Sequence, residues 1–81
     1  MVDIRTATVQ RILGLCQERG LTVHALARLA AVPPSTLKNI VHGGSQNPGI
    51  VTLKKLCDAL EISINDFFDH QLFAHLESEI K

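Results

Sequence analysis

Residues 23–42 hold two short amphipathic helical segments with almost nothing between them, and that spacing limits the folds open to the chain. In the first segment, Val23 to Ala30, the residues Leu26, Ala27 and Ala30 share one face. In the second, Leu37, Ile40 and Val41 do the same, leaving Ser35, Lys38, Asn39 and His42 outward. Only Ala31-Val32 separates the first segment from Pro33-Pro34, and proline is tolerated where first-turn N–H groups have no intrahelical partner. Helices coupled this tightly must cross at close range. The small Ala27, Ala30 and Ala31 permit that crossing, and Val32 is placed to pin the turn to a core.

The flanking sequence continues the same period. Val9, Ile12, Leu13 and Cys16 define a first helix, with Arg11, Gln17 and Glu18 on its far side and Gly20 as its stop. Thr22 is the N-cap of the Val23 segment. Gly43-Gly44 closes the segment that carries Asn39, and Ser45-Gln46-Asn47-Pro48-Gly49 has turn composition. A fourth helix, about Val51 to Leu60, buries Leu53, Leu56, Cys57 and Leu60; Ser63 caps a fifth with Ile64, Phe67 and Phe68. Leu72, Phe73, Leu76 and Ile80 recur at helical spacing in the tail. Nothing alternates with a period of two, so the expected fold is all α. With 81 residues there is room for one core.

Several function classes drop out. The apolar runs fall far short of the ~20 residues a membrane-spanning helix needs, and MVDIRTATVQ lacks the continuous apolar stretch of a signal peptide. Cys16 and Cys57 sit among apolar helical neighbours and read as reduced core residues, which suits the cytoplasm better than a disulfide does. No metal site is expected: His24 and His42 belong to different helices, His70 and His75 are five apart, and neither cysteine has a partner at zinc-finger spacing. Without strands there is no strand-borne phosphate loop, and predicted burial removes the thiols as nucleophiles. We expect no enzyme, no cofactor and no small-molecule ligand.

Charge is divided along the chain. Through Lys55 there are seven basic residues against two acidic, or +5; from Leu56 onward one basic residue faces six acidic, or −5. That asymmetry suits an anionic partner on one face. The exposed helix supplies the readers. Asn39 can pair with N6 and N7 of adenine in the major groove, and Lys38 and His42 can reach a guanine edge or a phosphate. Pro34, Ser35 and Thr36 form the leading end of that helix. Asn47, ahead of the fourth helix, and Lys54 within it are placed to meet phosphates.

Taken together, Arg11 to Phe68 resembles the Cro/repressor-type (XRE) helix-turn-helix family. The matching residues are Arg19-Gly20-Leu21-Thr22, Leu26-Ala27, Val32 to Ile40 with Ser35-Thr36, Gly43, Asn47-Pro48, Thr52-Leu53, Leu56, Ala59-Leu60 and Ile62-Ser63 before Phe67-Phe68. The resemblance implies a compact five-helix, lambda-repressor-like domain over residues 1–69; beyond it, Phe68, Leu72, Leu76 and Ile80 recur at i+4, which predicts a helical extension over 70–81 whose apolar stripe offers a dimer contact. The resemblance also implies a sequence-specific regulator, a repressor of bacterial or phage type, bound as a homodimer to an operator in double-stranded DNA. Three departures stand out. Val23 occupies a position where the family often has Gln, and Ala31 one where it commonly has Gly, which Ala can replace if the backbone stays near helical geometry. Cys16 and Val41 replace a partly buried Arg–Glu pair together, an exchange that packed apolar residues tolerate. Zero net charge, Val23 and Pro33-Pro34 also suit an alternative: the same fold as a protein-interaction module, antitoxin-like or adaptor, with weak or no DNA binding.

Overall fold

A computed structural model describes residues 1–43 and 47–80; Gly44, Ser45, Gln46 and Lys81, including the first half of the turn expected over 45–49, lie outside the described residues. Among the described residues five α-helices appear in order: α1 Ile4–Arg19, α2 Val23–Leu29, α3 Pro34–His42, α4 Ile50–Leu60 and α5 Ile64–Phe68. Among the described residues there is no strand, and an isolated parallel bridge joins Val2 to Leu76.

Local chemistry sets the helix ends. Asp3, Thr22 and Ser63 each accept a backbone N–H three residues on, from Thr6, Ala25 and Asp66. At the other ends, α1, α2 and α4 are each followed by a left-handed residue, Gly20, Ala31 and Glu61, with φ of 64°, 56° and 58°. Beyond each, Leu21, Val32 and Ile62 donate back to Cys16, Ala27 and Cys57 at 2.9–3.0 Å. Ala31 therefore does not keep near-helical geometry; the position demands the conformation for which glycine is suited.

One core joins all five helices through Ile12, Leu15, Cys16, Leu26, Ala27, Ala30, Val32, Leu37, Ile40, Val41, Leu53, Leu56, Cys57, Leu60 and Phe67. Val32 is buried, as a turn anchor must be, and Cys16 and Val41 lie in the same cluster. On α1 the apolar face is rotated from the expected one. The helix begins at Ile4, brings Ala7 and Thr8 inside and buries Leu15, whereas Leu13 is 36% exposed.

α1 also carries three arginines that serve the fold. Arg11 donates to the Phe67 and Asp66 carbonyls at 2.8 and 2.9 Å, Arg19 donates to the Leu60 carbonyl, and Arg5 donates to the Gly43 carbonyl at 2.7 Å. Each guanidinium thus faces the negative end of another helix: α5, α4 and α3 respectively.

The tail departs from expectation. Instead of a helix carrying Phe68, Leu72, Leu76 and Ile80 on one face, it makes a single 3-10 turn at Gln71–Phe73 and returns to the N-terminus. Asp69 leaves helical geometry at ψ 74°, and the His70 side chain accepts the Leu72 N–H. Phe73 then packs on Phe67 and Phe68, with ring centroids 6.1 and 4.9 Å apart. Leu72 and Leu76 are half-buried and only Ile80, 90% exposed, stays out, so most of the stripe is covered by its own chain.

Candidate nucleic-acid interface

α3 is held from behind and free in front. Leu37, Ile40 and Val41 enter the core, while Pro34, Ser35, Thr36, Lys38, Asn39 and His42 are all exposed. The two faces follow from the 3.6-residue period acting on PSTLKNIVH. Pro33 caps the helix without any side-chain bond; Thr36 and Leu37 donate to its carbonyl at 2.9 and 3.2 Å. At the far end Gly43 donates to the Asn39 carbonyl at 3.0 Å, and a Cβ on Gly43 would stand 2.8 Å from that oxygen. Glycine is needed there for closeness.

Two shallow grooves flank this helix. Pro34, Ser35, Lys38 and His42 line one together with Val23 and His24 from the start of α2. Thr36, Asn39 and Asn47 line the other, with Ile40, Pro48, Gly49 and Thr52 from the approach to α4. Among the described residues, no acidic one lines either groove. Seven of the eight residues expected at the interface therefore meet on one exposed surface. Lys54 lies outside both grooves and forms an exposed ion pair with Asp58 one turn further along α4.

His24 and Thr52 join this surface although neither is among the residues expected at the interface from sequence. Each sits in the first turn of its helix, His24 just after the Thr22 cap and Thr52 just after Gly49, and that position was the signal available. Among the described residues, no three His, Cys, Asp or Glu side chains come together as a metal site. The perturbed thiols line neither groove: burial pushes the Cys16 and Cys57 thiols up, with Asp58 adding to the effect at Cys57.

Two helices joined through a buried valine, the second offering a polar, acid-free face, define a helix-turn-helix DNA-binding domain. Residues 11–72 match the Cro/C1-type HTH DNA-binding domain family, and the chain belongs to that family. Among solved structures it is similar to prophage Lp1 protein 11, at 30% identity and a TM-score of 0.80, over 94% of this chain and 100% of that one. It is also similar to an HTH_3 family transcriptional regulator from Vibrio cholerae, at 32% identity and a TM-score of 0.73. That match covers 84% of this chain and 38% of the Vibrio protein. Comparison with curated proteins returns no match. Among the described residues no helix is long and apolar enough to cross a membrane.

Proposed function

We propose that the protein is a non-enzymatic transcriptional repressor of bacterial or phage type, acting in the cytoplasm as a homodimer on a two-fold operator in double-stranded DNA. The observation that carries this reading is the exposed, acid-free face of α3, backed by a helix buried on its other side. Asn39 reads a base edge, Lys38 and His42 reach a base or phosphate, and Pro34, Ser35 and Thr36 approach the backbone at the leading end. Asn47 and, once released from Asp58, Lys54 add phosphate contacts. Similarity to a prophage protein and to a transcriptional regulator supports the regulatory role.

Selection of bound duplexes from a random pool, repeated at two salt concentrations, tests the reading. A recurring two-fold motif is expected. Replacing Asn39 by Ala then costs about 1–3 kcal/mol on that motif and relaxes preference at one base position, whereas Lys54→Ala weakens all sequences alike. The diversion of three arginines to helix-end carbonyls favours one other reading, a protein-interaction module. Absence of duplex binding even at low salt would select it.

A further inference from the structure

We infer that Arg5 is a positioning residue for base reading: its guanidinium fixes the C-terminal end of α3 and so the aim of Asn39 and His42. The inference rests on the role given to α3 above and deepens it by naming what holds that helix in register. Arg5 lies in the first turn of α1, 38 residues away in sequence, yet its Nη2 donates to the Gly43 carbonyl at 2.7 Å. Gly43 caps α3, and its own N–H returns to Asn39 one turn back. A charged donor on a helix-terminal carbonyl is stronger than a neutral bond and opposes the negative end of the dipole. Because the Gly43 N–H donates to the Asn39 carbonyl at 3.0 Å and even a Cβ on Gly43 would stand 2.8 Å from that oxygen, moving one moves the other.

The opposite end of α3 is held differently, by the buried Val32 and its bond to the Ala27 carbonyl, since Pro33 provides no side-chain cap and Pro34 no N–H. Arg5 is itself well founded. Asp3 caps the same turn through the Thr6 N–H at 2.7 Å, and Val2 just before it accepts the Glu77 N–H at 3.0 Å. A two-bond contact to a base tolerates little misplacement. Loss of the Arg5 bond therefore degrades discrimination between bases and spares the phosphate contacts.

A direct phosphate contact by Arg5 makes the opposite prediction, so the two roles separate cleanly. The test measures binding of the native protein, Arg5→Ala, Arg5→Gln, Asn39→Ala and the Arg5→Ala/Asn39→Ala double variant. Each is titrated on the selected duplex and on duplexes changed at the base pair that Asn39 reads, over a range of salt. Circular dichroism at the assay temperature reports folding. Arg5→Ala is expected to reduce discrimination from about tenfold to less than about threefold with the salt slope unchanged. In the Asn39→Ala background it is expected to change discrimination no further.

Undiminished discrimination in folded Arg5→Ala overturns the inference. So does a salt slope shallower by about 0.9 with discrimination intact, the mark of a lost phosphate contact. If Arg5→Ala does not fold, Arg5→Gln decides: partial loss of discrimination supports the role and full retention overturns it. A native protein with no base preference refutes the α3 reading itself, a failure seen before any Arg5 variant is compared.

Discussion

Ala31 carries the strain of the turn between α2 and α3. Its φ of 56° places a Cβ where an L residue without a stabilising side chain loses about 1–2 kcal/mol, and the residue is exposed, so no packing depends on its methyl group. Ala31→Gly is expected to stabilise the protein by about 0.5–1 kcal/mol after the added chain entropy of glycine is deducted, measured by urea unfolding. Glu61 holds the matching position after α4 with φ 58°, and Glu61→Gly should act in the same direction. The two thiols make a second residue-level prediction. Burial raises the Cys16 and Cys57 pKa values in the folded state, so above about pH 8.5 the unfolded chain releases thiol protons that the folded chain keeps. Stability is then fully present below that pH and falls as pH rises through the folded values. Denaturation under reducing conditions between pH 7 and 10 should show the decline, and a Cys16→Ala/Cys57→Ala variant should lose much of it.

Among the elements, the 3-10 turn at Gln71–Phe73 is the informative one. Phe73 completes a cluster with Phe67 and Phe68, so truncating it opens a gap in the monomer's own packing. Phe73→Ala should lower unfolding free energy by about 2 kcal/mol, less than the 3–5 kcal/mol typical of a fully buried phenylalanine, because the ring is half-buried. Loss of a dimer without loss of stability, by sedimentation and denaturation together, would contradict this. The tail also shows what periodicity leaves open. Leu72, Leu76 and Ile80 keep helical spacing, but spacing does not say whether the chain runs on or turns back, and the cover offered by α1 and α5 decided it. α3 and α4 were legible because their buried and exposed residues separate cleanly. α1 offered two overlapping apolar tracks, and only its packing selected Leu15 over Leu13. Six of the groove-lining residues were readable as the outward positions of one helix and its leading turn, and Asn47 as the residue before Pro48. His24 and Thr52 were not, since they join through the crossing of separate helices.

At the scale of the whole molecule, the N-terminal excess of positive charge is a poor guide to the charge available to a partner. Among the described residues, Arg5, Arg11 and Arg19 face carbonyls within the fold and Lys54 faces Asp58, while Arg28, Lys38 and Lys55 are the exposed cations that remain to meet an anion. Duplex affinity should therefore respond weakly to salt. At about −0.9 per phosphate, three cations and a released Lys54 give log K against log salt concentration a slope of roughly −3 to −4 for each bound chain, and a fluorescence anisotropy titration from low to moderate salt measures it. A slope of about −6 for each bound chain would mean that the α1 arginines leave their carbonyls when DNA binds.

The bridge between Val2 and Leu76 closes a loop that spans almost the entire chain. Closing so long a loop carries an entropy cost that α2 and α3, neighbours in sequence, do not face, so those helices can dock while the two ends are still apart. The bridge is thereby cast as a late event in folding and an early one in opening. Its Glu77 amide should trade its proton for deuterium well before the amides at the buried centre of α4, and a variant lacking the bridge should unfold faster while refolding at nearly the native rate.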